Sequence, residues 1–285
     1  MGNRLPTPLI LLTLFFALPA TAATSLTLST LLIPLDTHAE RPRARLAIVI
    51  DDVGHNLRRA ERVLALPVEL TLGLLPYAPH APEIAERAHR AGREVILHQP
   101  MEPLHGHRLE PGTLQLDMSA ETFAEAFSAS LARFPYAAGV NNHTGSLLTA
   151  HRTPMQWIMS RIAGRGLYFL DSRTTPHSVA EVTARELSVP TIRRDVFLDH
   201  IRTDEFLQHA FARSMVIARQ RGHAVVIAHP HTVTLNFLER KLAELPGDIV
   251  LTTLSDLVKP VRQAADRRAL VLAGNPGAPS RSPDR

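Results

Sequence analysis

The stretch Leu46-Ala47-Ile48-Val49-Ile50-Asp51-Asp52-Val53-Gly54 decides how the rest of the chain is read. Its first five residues are apolar without alternation, and Ile48, Val49 and Ile50 are β-branched. That pattern predicts a strand buried on both faces, which is the signature of a parallel sheet. Asp51 and Asp52 follow at once and mark the strand's C-terminal end. Downstream the same kind of segment recurs at Glu69 to Leu75, Glu94 to Leu97, Ala137 to Val140, Leu167 to Leu170, Thr191 to Ile192 and Ala224 to Ala228, with Asp248 to Leu254 as a candidate eighth. Helical stretches lie between them: Leu57 to Ala65, Ala81 to Ala91, one capped by Ser119, Pro154 to Ala163, Ser178 to Leu187 and Asp204 to Arg221. Short apolar strands alternating with helices predict an α/β fold with a parallel sheet.

In such a fold every strand delivers its C-terminal end to one face, where barrels and doubly wound sheets place their chemistry. Here those ends carry Asp51-Asp52, His98, Asn141-Asn142-His143, Asp171-Ser172, Arg194-Asp195 and His229. Two histidines and a carboxylate are a common ligand set for a divalent metal with a position left open for water. A second carboxylate can take a proton from that water, and a histidine across the site can give one to a leaving group. The rim therefore suits metal-assisted hydrolysis. The single glycine of Asp51-Asp52-Val53-Gly54-His55-Asn56 makes no phosphate-binding loop, and no Gly-x-Ser-x-Gly elbow is present.

Composition narrows the classes. The chain has 285 residues, no cysteine and fifteen histidines. Disulfides, iron–sulfur clusters and a thiol nucleophile are excluded, and any transition metal must sit on His and carboxylates. The net charge is +4, carried by scattered arginines, with aromatics at 5%. No basic stripe with stacking aromatics emerges, which argues against nucleic acid.

The blocks Ile50-Asp51-Asp52-Val53-Gly54, Leu97-His98-Gln99-Pro100-Met101-Glu102-Pro103, Gly139 to Ser146, Phe169-Leu170-Asp171-Ser172, Arg194 to Asp199 and Ala228-His229-Pro230 resemble the divergent polysaccharide deacetylase family. This is a branch of the NodB-homology (carbohydrate esterase family 4) superfamily. The resemblance implies a distorted (β/α) barrel of about seven parallel strands that removes N-acetyl groups from amino sugars. It carries Asp51 over as the base, Asp52 as a metal ligand and His229 as the general acid. Asp195 falls where relatives hold an acid that orients a catalytic group. Relatives take two ligands from a His-x-x-x-His segment, but Glu102 stands four residues after His98, so His143 is the substitute. The implied cofactor is a divalent metal, zinc by preference, on Asp52, His98 and His143. Asn141 or Asn142 would help hold the oxyanion.

Each residue also has a plainer reading. Asp51-Asp52 suits a helix start, and Asp171 with Ser172 suits a cap or a hydrogen-bond partner to a ligand. Asp195 and Asp199 could pair with Arg193, Arg194 or Arg202. The broken His-x-x-x-His spacing leaves a second functional reading open: a glycan-binding or scaffold protein that kept the barrel and lost the reaction.

Residues 1–23 read as an export signal, with Arg4, an apolar core from Leu9 to Leu18 and Ala20-Thr21-Ala22 for cleavage. Left uncleaved, this segment would give peripheral membrane association. Residues 24–44 read as a linker, 45–260 as the deacetylase-like domain and 261–285 as a disordered tail rich in Ala, Arg, Pro, Gly and Ser. The expected setting is the periplasm or envelope, with an N-acetylated envelope glycan, such as peptidoglycan, as substrate.

Overall fold

The computed structural model describes residues 43–106 and 109–258. The signal, nearly all of the linker and the tail fall outside them. Among the described residues no helix is long and apolar enough to cross a membrane.

Eight strands form one path: β1 (Ala44–Val53), β2 (Thr71–Leu74), β3 (Val95–Met101), β4 (Gly139–Thr144), β5 (Tyr168–Asp171), β6 (Thr191–Arg193), β7 (Val196–Phe197) and β8 (His223–Ala228). Their spatial order is β6-β5-β4-β3-β2-β1-β8-β7, and every pairing is parallel. A ninth strand, β9 (Ile249–Leu251), pairs with the start of β1. The order follows the sequence around a circuit without a reversal, which is barrel winding and not that of a doubly wound sheet. Only Arg194 and Asp195 separate the two edge strands. The backbone N–H of Arg194 donates to Asp171 O at 3.0 Å, and that of Asp195 to Val225 O at 2.9 Å. The chain thus steps across the seam itself, giving a distorted (β/α) barrel.

Helices α1 (Leu57–Ala65), α2 (Ala81–Arg90), α3 (Ala120–Ala132), α4 (Arg152–Ile162), α5 (Ala180–Glu186), α6 (Asp204–Arg221), α7 (Thr232–Leu242) and α8 (Leu254–Val258) accompany the strands. Ser119 caps α3 as its sequence predicts, its hydroxyl accepting from Thr122 N at 3.2 Å. Met155, Ile158, Met159 and Ile162 of α4 are fully buried, as their helical spacing requires.

The apolar run of β1 divides by parity. Leu46, Ile48 and Ile50 face the helices, while Ala47 and Val49 face the barrel interior with Ile96, Tyr168, Leu170, Val225 and Ile227. Period-two alternation carries each inward row on toward the strand ends. Ala47-Val49 leads to Asp51, Ile96 to His98, and Val225-Ile227 to His229. The barrel is therefore apolar at its base and polar at its mouth.

Three features depart from the sequence reading. The strand β1 begins at Ala44, one residue inside the expected linker. The strands β1, β3 and β4 run on to Val53, Met101 and Thr144, so Asp51, Asp52, His98 and Asn141 to His143 lie within strands and not beyond their ends. The two-residue strand β7 and the helices α7 and α8 were not foreseen.

Candidate active site

Local backbone geometry brings the two neighbouring aspartates to the same mouth. Residue Ile50 pairs with Leu72 and Val53 with Leu74, so β1 carries one residue more than β2 across this interval. Such a bulge re-aims side chains that alternation would send to opposite faces. Asp52 sits at φ 56°, in the left-handed region. A non-glycine residue there costs of the order of 1 kcal/mol, and such strain concentrates at functional sites.

His98 and His143 come from adjacent strands, where His98 pairs with Asn141 and Pro100 with His143. Asp52 Oδ1 lies 2.8 Å from His143 Nδ1 and 3.2 Å from His98 Nε2, and the two ring nitrogens are 3.1 Å apart. Asp52 Oδ1 is buried yet accepts no well-formed hydrogen bond. Donors about 2.1 Å from a shared ion stand about 3.0–3.4 Å apart for angles between a right angle and tetrahedral. The spacing and the orphaned oxygen both fit a divalent cation held by Asp52, His98 and His143.

The tautomer of His98 is set from behind. Asn141 Oδ1 can only accept, so the 2.9 Å contact with His98 Nδ1 puts the proton on Nδ1 and leaves the Nε2 lone pair facing the mouth. The Asn141 amide nitrogen donates to both oxygens of Asp51, at 3.0 and 2.8 Å. Asp51 is fully buried, and it reaches Asn141 because β2 offers no side chain there: a Cβ on Gly73 would lie 2.0 Å from Asp51 Oδ1. Burial raises the Asp51 carboxyl above its ordinary value, against the pull of His98, His229 and the Asn141 amide. Burial also works to raise Asp52, but contacts with His143 and His98 hold it well below the usual carboxylate range.

His229 faces this group from just beyond β8, its Nε2 3.9 Å from Asp52 Oδ2. Its Nδ1–H donates to Asp199 Oδ1 at 2.9 Å, and its backbone N–H donates to Asp199 Oδ2 at 2.8 Å. Thr234 of α7 adds a third hydrogen bond to Asp199. Burial opposes protonation of His229, but Asp199, with Asp52 and Asp51 behind it, lifts it to about 9. His231 lies close enough to form a second His/Asp cluster with this pair. Asp199 is already committed to three donors, so the arrangement is that of a backed histidine.

The acid in contact with His229 is thus Asp199, which corrects the expectation placed on Asp195. Asp195 Oδ1 takes Arg221 Nη1 at 2.6 Å and its Oδ2 takes Val225 N at 2.9 Å. It pins the seam and does not touch His229. The amides of Asn141 and Asn142 are also fully engaged. The Asn142 nitrogen donates to Thr144 O and Thr174 Oγ1, and its oxygen accepts from Ser172 N. Both asparagines hold neighbouring groups in place, and neither is free to serve as an oxyanion donor. Asp171 accepts from Arg173 N and Ser178 Oγ, shaping the loop after β5. Glu102 accepts from Leu116 N in the loop beyond β3, away from the ligand cluster.

The mouth opens into a cavity of 580 Å³ lined by Asp51, Asp52, His98, His143 and His229 together with residues of the β5–β7 loops. With that geometry established, comparison with known proteins is decisive at the level of family: residues 48–258 match the model of the divergent polysaccharide deacetylases. The chain belongs to that family. This divergent polysaccharide deacetylase has relatives in bacteria. The uncharacterized protein YibQ of Escherichia coli (strain K12) is 38% identical over 214 residues, spanning 75% of this chain and 67% of its own length. An uncharacterized protein of Haemophilus influenzae is 35% identical over 215 residues, 75% of this chain and 77% of its own. The crystal structure of the uncharacterized protein ATU2773 from Agrobacterium tumefaciens C58 superposes with a TM-score of 0.73 at 27% identity, covering 77% of this chain and 91% of that one.

Proposed function

We propose that this divergent polysaccharide deacetylase is an active, exported, metal-dependent hydrolase that removes acetyl groups from N-acetylated sugars of an envelope glycan. The observation that carries this reading is the pairing, in one cavity, of a three-donor cation cluster with a histidine backed by a buried carboxylate. The scaffold reading rested on Glu102 in place of a second histidine. His143 supplies the missing imidazole from the next strand, so the broken spacing does not deprive the site of a ligand.

Asp52, His98 and His143 would hold a divalent cation, with zinc suited to a two-histidine, one-carboxylate set. Bound there, such a cation supplies Lewis acidity toward an acetamide carbonyl and makes a water acidic. Asp51 is the base: desolvation makes it a stronger proton acceptor than an exposed aspartate, and the Asn141 amide fixes both of its oxygens. His229 is the acid. Its Nε2 faces the cavity, and the buried Asp199 carboxylate keeps Nδ1 protonated and favours the charged ring, which can hand a proton to an amine leaving group. Water adds to the acetamide carbon, the C–N bond breaks, His229 protonates the sugar nitrogen and acetate departs.

The test is acetate release from N-acetylated chitooligosaccharides and peptidoglycan fragments by the metal-loaded protein, beside Asp51→Asn, His229→Ala and chelator-treated samples. Release by the wild type alone supports the assignments. Equal rates in all four samples would exclude them, and no release from any acetylated glycan by a metal-loaded wild type would return the protein to the scaffold reading.

A further inference from the structure

The charge around the cleft is unevenly spent. The catalytic cavity adjoins two others. One, of 160 Å³, shares Asp52 and His231 with it and is lined by Arg59. The other, of 440 Å³, shares Arg194, Phe197 and His200 with it and is lined by Arg213. Arg202 lines the central cavity. The acids lining the three cavities are Asp51, Asp52, Asp195 and Asp199, and each is turned onto an internal partner. The guanidinium groups of Arg59, Arg202 and Arg213, by contrast, make no ion pair or hydrogen bond among the described residues. Of the other surface arginines, Arg62 pairs with Glu239, Arg219 with Asp248 and Arg240 with Asp204, while Arg58, Arg161 and Arg165 also make no such contact among the described residues. Three cations without a partner among the described residues thus line the catalytic cavity and the two cavities that adjoin it. Phe197 and Phe206, bridged by the His200 ring at 5.9 and 6.4 Å, add apolar surface beside them, although the Arg194 guanidinium lies over the Phe197 ring at 4.9 Å.

We infer that the cleft is built for an anionic acetylated glycan, one whose sugars flanking the reacting acetamide carry carboxylate or phosphate groups that Arg59, Arg202 and Arg213 receive. The inference rests on the deacetylase reading for the reaction but concerns which polymer is bound. Exposed arginines gain little from one distant charge, but a polymer that meets several at once binds with their sum and associates faster. A neutral acetylated polymer would leave all three cations unanswered.

Binding decides it, measured by calorimetry on metal-loaded full-length protein with four probes. These are chitotetraose, a hyaluronan tetrasaccharide for carboxylate, a phosphodiester-linked N-acetylglucosamine oligomer for phosphate, and polyglutamate as an anion without sugar. The wild type is expected to bind one of the two anionic glycans about tenfold or more tighter than chitotetraose, and that glycan identifies the anion. The preference is expected to fade with added salt and to vanish in Arg59→Gln/Arg202→Gln/Arg213→Gln, whose melting temperature verifies folding. Equal affinity for neutral and anionic glycans, a preference that survives the triple substitution, or polyglutamate binding as tightly as the best glycan would each overturn the inference. Acetate release in the same samples keeps the two readings apart. A charge preference without acetate release leaves the inference standing and sinks the deacetylase, and acetate release with no charge preference does the reverse.

Discussion

Replacing Asp199 by asparagine tests the acid side of the site most directly. In metal-free protein His229 titrates at about 9, against an ordinary 6.5, because Asp199 outweighs the cost of burying the imidazolium. That difference is worth of the order of 3 kcal/mol in favour of the protonated folded state. The folded value is the raised one, so this stabilisation is complete below pH 6.5 and drains away as pH climbs through about 9. Asparagine keeps the shape but removes the charge. Its amide nitrogen must also face either the His229 Nδ1–H or the donors that Asp199 Oδ2 now accepts, His229 N and Thr234 Oγ1. An unsatisfied buried donor adds about 1–3 kcal/mol at any pH. The expected outcome is a His229 titration that falls from about 9 toward 6.5, followed by NMR of the ring carbon between the two nitrogens with chelator present. Denaturant unfolding should show the variant losing most stability below pH 6.5 and least above pH 9. A His229 titration left near 9, or a stability loss of the same size at every pH, would refute the account of Asp199 as its electrostatic partner.

Asn141→Ala should leave the buried Asp51 carboxylate without its two hydrogen bonds and destabilise the fold by about 3 kcal/mol. Those bonds lower Asp51, so the acid limb of the pH–rate profile for acetate release should move to higher pH. Gly73→Ala places a Cβ 2.0 Å from Asp51 Oδ1, and it should cost about 1–3 kcal/mol by overpacking and lower kcat as the carboxylate is pushed aside; wild-type kcat would show that the contact is relieved. Metal binding should weaken as pH falls, because Asp51 and Asp52 outweigh burial in raising His98 and a proton then competes for the ligand nitrogen. Calorimetry with zinc would show this as proton release on binding, and Asp52→Asn should reduce the affinity sharply. Arg221→Gln removes a half-exposed partner of Asp195 and should cost less than about 1 kcal/mol, with acetate release unchanged, which separates Asp195 from Asp199.

The alternation of apolar strands with helices exposed the parallel α/β sheet, the family resemblance implied its closure into a barrel, and the polar residues closing those strands exposed most of the mouth. Elements set by longer-range contacts were harder to see. The strand β7 has two residues, too few for any periodicity, and it exists because β8 offers Val226 and Ile227 as partners. With that strand hidden, Asp199 just beyond it has no place in the pattern, and the family resemblance points to Asp195 instead. The helix α7 did leave a trace, with Leu235, Leu238 and Leu242 at helical spacing and Arg240 and Lys241 in the last turn. That trace could have placed Thr234 against Asp199.

The amino-acid sequence by itself determines the apolar runs, their parity and the chemical types that end them, because hydrophobic burial and strand alternation act on neighbours in the chain. Only tertiary structure decides which imidazole meets which carboxylate. The bulge that swings Asp52 beside His98 and His143, the empty place at Gly73 that lets Asp51 reach Asn141, and the choice of Asp199 over Asp195 all depend on how separate strands register against one another. Pairing of that kind is fixed by the packing of the whole barrel, and no local stretch of chain contains it.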